Sequence, residues 1–176
     1  MANLICTLSG LLALGACGIA SRLPTTLESP KPRIQSFEFF SASIPGLSGA
    51  AVDLSSFKTK PLFVMFAGDT CIVCSEETRT LVNRAKEFEP YELRLVTVLA
   101  GADKVTAEEW KSEHKVAWTI AYDENLELFE RYCPAGTTPC SFLQVPSRGI
   151  VLQKVGALAI SELLQKLEEE KIHDVR

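Results

Sequence analysis

The chain has 176 residues, 47% hydrophobic and 23% charged, with a formal net charge of −4. That length holds one domain plus a leader, and the balance is globular. No basic footprint points to nucleic acid, the acidic excess is too mild to imply a cationic partner, and no repeat or low-complexity tract is visible.

In chain order, the N-terminus comes first. Residues 4–16, LICTLSGLLALGA, carry no charge. A membrane span takes about 20 apolar residues, so this run is too short for one and fits the apolar region of an export signal. The tetrapeptide LGAC, ending at Cys17, resembles the lipobox of bacterial lipoproteins, whose cysteine is lipidated. The segment SRLPTTLESPKPR, 21–33, has three prolines and no apolar periodicity, and reads as an extended linker. The expected layout is a lipoprotein signal peptide over 1–16, a lipid-anchored flexible linker over 17–33 and a folded domain over 34–176. Cleavage after Ala20, or a buried N-terminal helix, is the alternative.

Within the domain, PLFVMFAG (61–68) is a continuous apolar run bounded by Pro and Gly. That pattern predicts a strand buried on both faces of a parallel sheet. Residues 74–89 carry Leu81, Val82, Ala85 and Phe88 at helical spacing, with Glu76 and Glu77 expected in the first turn. LRLVTVLAG (93–101) predicts a second strand. TAEEWKSEHK (106–115) predicts a helix opened by a Thr-x-x-Glu capping box. A short strand follows at 117–123, then a helical turn or two at 125–132. The runs 140–145 and 150–157 flank the turn PSRG and predict a hairpin. An amphipathic helix at 160–172, with Leu163, Leu164 and Leu167 inward, closes the chain. The expected fold class is α/β, a mixed sheet between helices.

Six cysteines stand at 6, 17, 71, 74, 133 and 140. Cys71 and Cys74 form a C-x-x-C at the predicted strand-to-helix junction. A thiolate attacks a disulfide, so a reactive cysteine must be accessible and acidic. A helix N-terminus supplies the acidity through unpaired N–H groups and the dipole. Cys74, one turn on, is placed to resolve a mixed disulfide. C-x-x-C is also half of many zinc sites, but six residues separate Cys133 from Cys140, outside the usual spacing. His114 and His173 lack ligand spacing and are expected to face solvent, so no metal is expected.

The stretch 36–74 resembles the TlpA/ResA-like membrane-anchored thiol–disulfide oxidoreductases of the thioredoxin superfamily. Val52, Leu54, Phe57, Lys58, Lys60 and Pro61 follow their pattern in order, before the apolar strand and the C-x-x-C. YCPAGTTPCSFL (132–143) resembles a later segment with one extra residue, and 148–158 resembles the hairpin after it. The resemblance implies a thioredoxin-like fold with an N-terminal β-hairpin extension. It implies Cys71 as nucleophile and Cys74 as resolving cysteine. It implies Pro139 as a cis-proline, with Thr138 offering backbone to a substrate strand. Thr70 stands where the family often has Trp, and Met65 where many thioredoxins bury an Asp, so the Cys74 proton acceptor is open.

Cys133 and Cys140 flank the expected cis-proline loop. They are read as a structural disulfide, with a second redox pair exchanging with the C-x-x-C and two free thiols as alternatives. The expected function is thiol–disulfide exchange on protein substrates in the bacterial envelope, in the reducing direction, facing the periplasm or the cell exterior. The redox-active disulfide is the only cofactor expected. Expected partners are protein thiols and disulfides, an apocytochrome c being one candidate, and an upstream membrane electron donor; a monomer is expected. A thiol peroxidase, a copper chaperone and a non-catalytic binding module are the other classes.

Overall fold

The computed structural model describes residues 40–146 and 148–174, the last three by backbone only. The expected signal peptide, linker and lipidated Cys17 lie outside the described residues, as does the side chain of His173.

β1 (Ser43–Pro45) and β2 (Ala51–Asp53) pair antiparallel into a short hairpin. Its turn needs Gly46, where a Cβ would stand 2.7 Å from the Ala50 carbonyl oxygen. A 3-10 turn over Leu54–Phe57 follows, capped by the Asp53 carboxylate, and it buries Leu54.

Five further strands build the main sheet: β3 (Leu62–Ala67), β4 (Arg94–Ala100), β5 (Thr119–Asp123), β6 (Cys140–Val145) and β7 (Gly149–Val155). Their order is β5-β4-β3-β6-β7. β3 and β5 run parallel to β4, while β6 is antiparallel to both β3 and β7. The sheet is therefore mixed, and β3 is its centre.

Every residue of β3 is buried. Alternation divides them between two faces. Phe63, Met65 and Ala67 join a core with α1 (Ile72–Asn83), α2 (Lys104–Glu113) and α4 (Ile160–Asp174), through Leu81, Trp110, Leu163 and Leu167. Leu62, Val64 and Phe66 join a second core with Phe40, Ile44, Leu54, Phe142 and the Phe129 of α3 (Glu127–Tyr132). A thioredoxin-like α/β fold results.

Three local expectations change. The helix expected through residue 89 stops at Asn83, and a 3-10 segment over Ala85–Tyr91 continues to bury Phe88. Pro90 lies in that segment, has no N–H to donate and biases its predecessor away from α geometry. Glu76 and Glu77 fall in the second turn of α1, since the helix begins at Ile72. The capping residue of α2 is Asp103, which accepts from the Thr106 N–H at 2.8 Å, so Thr106 is a capped donor and not the cap.

Leu81 is 1% exposed and packs α1 onto the sheet. Leu81→Ala is expected to cost about 2–5 kcal/mol in urea unfolding, as buried leucine truncations do. A loss below about 1 kcal/mol would mean that α1 is not held by this core.

Candidate active site

β3 delivers the chain to a tight loop, Gly68–Asp69–Thr70, where the Asp69 carboxylate accepts the Thr70 N–H at 2.8 Å. Cys71 is the N-cap of α1, in extended conformation. Its Sγ accepts the Cys74 N–H at 3.1 Å, as a capping oxygen would. Cys71 and Cys74 are joined as a disulfide with Cα atoms 5.2 Å apart. Cys74 is completely buried and Cys71 only half-buried, so an incoming group meets the Cys71 sulfur first.

The second wall comes from β6. The Thr138–Pro139 peptide bond, just before Cys140, is cis. Gly68 lies where the two loops meet. A Cβ placed there would lie 3.4 Å from Thr138 Oγ1 and 3.5 Å from Cys71 Cβ. The Pro139 carbonyl accepts the Gly156 N–H at 2.8 Å, which ties this loop to the end of β7. Tertiary folding thus brings Cys71, Cys74, Thr138 and Pro139 to one end of the sheet.

Glu77 stands one turn beyond Cys74 on the buried face of α1, 6% exposed. Its carboxylate accepts from Ser141 Oγ at 3.4 Å and from the Leu158 N–H at 3.1 Å. Burial pushes this carboxyl above its ordinary value, and the two donors pull the other way. A buried carboxyl therefore approaches the neighbourhood of position 65 from a different element. Ser141 pairs with Met65 across the β3–β6 ladder, and the carboxyl reaches it from α1. One signal pointed there: Cys74, Glu77 and Leu81 share a helix face, so Glu77 is an acid among inward positions.

His114 is not simply solvent-facing. Its ring stacks on Trp110 with centroids 4.3 Å apart, and Nε2 lies 2.9 Å from Ser75 Oγ. Cys133 and Cys140 are joined as a second disulfide, at 1% and 0% exposure. They belong to the core beneath the other sheet face, away from the core that holds Cys74. Among the described residues, no group of three or more His, Cys, Asp or Glu is placed to hold a metal ion, and no helix is long and apolar enough to cross a membrane.

Among the described residues, the exposed large hydrophobics are Ile72, Val73, Val105 and Val155. All four lie at the active-site end. Ile72 and Val73 are the C-x-x-C bridge, Val105 opens the helix after β4, and Val155 pairs with Cys140. A cavity of about 640 Å³ opens at the opposite end, lined by Leu93, Arg94 and Leu95 at the start of β4 and by Thr119 and Ile120 of β5. The accessible sulfur thus lies at the end that carries these exposed hydrophobics, away from that cavity.

Residues 36–152, more than half of the chain, match the AhpC/TSA family. The chain belongs to this family. A curated homologue is the thiol-disulfide oxidoreductase ResA of Bacillus subtilis, 24% identical over 127 residues, covering 72% of this chain but only 65% of ResA. The crystal structure of a secreted Mycobacterium tuberculosis disulfide oxidoreductase, homologous to E. coli DsbE, aligns with TM-score 0.60 at 21% identity, covering 73% of this chain and 96% of that one. Peroxiredoxin Q of Xanthomonas campestris aligns with TM-score 0.61 at 14% identity, over 76% and 92% of the two chains. At these identities the two structures share the fold of this AhpC/TSA member, and its chemistry has to be argued from the site.

Two measurements check the site. In the reduced native domain, a thiol reagent is expected to label Cys71 rapidly and to leave Cys133 and Cys140 disulfide-bonded until the chain unfolds. Rapid native labelling of Cys133 would contradict their burial. For Glu77, the folded carboxyl titrates above its unfolded value, so the protonated form favours folding. That contribution is present in full below the ordinary carboxyl value and is lost as pH rises through the higher, folded one. Glu77→Gln is therefore expected to lose less stability than wild type between acid and neutral pH in urea unfolding. An identical slope in the two proteins would show that Glu77 is not the group responsible.

Proposed function

We propose that this chain is a thiol–disulfide oxidoreductase acting on protein disulfides and dithiols. One observation carries the reading: a half-exposed cysteine caps a helix, bonded to a buried cysteine one turn on, beside a cis-proline loop. The C-x-x-C disulfide is then the redox centre, with no further cofactor.

In the reducing direction, the Cys71 thiolate attacks one sulfur of a substrate disulfide. The substrate's other sulfur leaves as a thiolate, and a Cys71–substrate disulfide forms. The Cys74 thiol gives its proton to the Glu77 carboxylate, and the new thiolate attacks Cys71 Sγ. The Cys71–Cys74 disulfide closes, and the substrate leaves with its second sulfur as a thiolate that takes up a proton. Two electrons pass from enzyme to substrate, and an external dithiol donor restores the reduced pair. The helix N-terminus and the Cys74 N–H favour the attacking anion. Glu77 suits proton exchange because burial keeps its carboxyl easier to protonate than an exposed one. Thr138 and Pro139 offer an edge for an extended substrate segment. The buried Cys133–Cys140 disulfide serves as a staple that holds this loop to the end of α3.

The same reading places the protein in the bacterial envelope, exported by residues 1–16 and anchored by lipid on Cys17. The apolar run over residues 4–16, the LGAC tetrapeptide and the second, buried disulfide support that location. A reducing role toward a partner such as an apocytochrome c, fed by a membrane electron donor, follows from the resemblance to the ResA-like oxidoreductases.

Insulin reduction by dithiothreitol is expected to speed up with the wild-type protein and not with Cys71→Ser. Cys74→Ser is expected to accumulate mixed disulfides through Cys71. Catalysis by Cys71→Ser would sink the assignment, and peroxide consumption without disulfide reduction would favour a thiol peroxidase.

A further inference from the structure

The proposed mechanism leaves one titratable side chain beside α1 without a task. His114 follows the last residue of α2, and its Nδ1 stands 2.8 Å from the Trp110 carbonyl oxygen. Its Nε2 stands 2.9 Å from Ser75 Oγ. Ser75 comes directly after Cys74, and its Oγ is 3.3 Å from the carbonyl oxygen of Cys71. One hydroxyl therefore links the imidazole to the residue that caps the active-site helix.

The hydrogens on this chain follow from what each atom can do. A carbonyl oxygen only accepts, so Nδ1 carries a hydrogen in both charge states of the ring. In the neutral ring, Nε2 has a lone pair and accepts. The single hydroxyl hydrogen of Ser75 then goes to Nε2, and the Cys71 carbonyl loses its side-chain donor. In the imidazolium, Nε2–H donates to Ser75 Oγ. The hydroxyl hydrogen is then free to go to the Cys71 carbonyl oxygen, a bond that reaches back one turn. Uptake of one proton at Nε2 thus reverses one hydrogen bond, completes another at Cys71 and places a positive charge beside the helix N-terminus. The positive charge favours an anion on Cys71, and the bond to the Cys71 carbonyl holds the residue that carries it.

We propose that His114 is a positioning residue that acts through Ser75 and makes Cys71 more reactive when the imidazole is protonated. This rests on Cys71 being the attacking thiol. The charged residues close in sequence to Ser75 and His114 include Glu76 and Arg79 on α1, and Lys111, Glu113 and Lys115 along α2 and just past it. They are mixed in sign and at least partly exposed, so solvent screens them. Glu77 on α1 is engaged with Ser141 and Leu158.

The test follows the alkylation of Cys71 by iodoacetamide in the reduced full-length protein, read by peptide mass spectrometry. Imidazoles change charge between about pH 5 and 8, and the wild-type rate profile is expected to carry a step in that range besides the thiol's own. His114→Gln loses charge and bond together, so the step disappears and alkylation at its acid side falls roughly threefold. Ser75→Ala keeps the charge and loses the bond, so its fall is smaller. Superimposable wild-type and His114→Gln profiles overturn the proposal, and superimposable wild-type and Ser75→Ala profiles overturn the link through Ser75. No substrate protein enters this measurement, so failure to reduce insulin bears on the proposed function alone.

Discussion

The site depends on a strand that water does not touch. β3 is buried on both faces, and its two sets of alternate side chains belong to two separate cores. A strand held in this way ends at a fixed point. The short loop beyond it leads straight into α1, which begins with Cys71 at the end of the sheet. β6 runs antiparallel to β3 and starts at that same end, which brings Thr138 and Pro139 opposite. Gly68 lies where the two loops meet, and a Cβ there would be in van der Waals contact with both.

The two faces of the sheet then give four cysteines two fates. The C-x-x-C pair lies at the end of a helix, where one sulfur stays within reach of solvent. The Cys133–Cys140 pair sits in the opposite core among Phe66, Phe129 and Phe142, with both residues buried. Exchange needs a thiolate in line with a disulfide sulfur, and the two pairs lie in separate cores. Glu77 adds a polar tie across the first core. It joins α1 to β6 and to the segment before α4, which holds a carboxyl near Cys74 without opening that core to water.

A secreted disulfide oxidoreductase and a peroxiredoxin share this fold with the chain at similar TM-scores. The fold therefore does not choose between exchange with disulfides and attack on peroxide. The surroundings of the sulfur carry more weight. Ile72 is 75% exposed, and the other large exposed hydrophobics lie at the same end of the sheet. Exposed apolar side chains beside an accessible sulfur suit contact with a polypeptide.

Much of the fold was legible from short-range pattern. A continuous apolar run between Pro and Gly reads as a central strand, and a C-x-x-C after it reads as a strand-to-helix junction, because both depend on neighbours in the chain. The breaks were harder. α1 stops at Asn83 although Phe88 keeps the helical spacing, since a 3-10 segment can bury the same side chain. The carboxyl near Cys74, the fixing of His114 and the face that receives Cys133 and Cys140 were decided by tertiary structure. Glu77 bonds to residues 64 and 81 positions away, and His114 to one 39 positions away. Periodicity marks which side of a helix turns inward, but only the packed sheet determines what waits there.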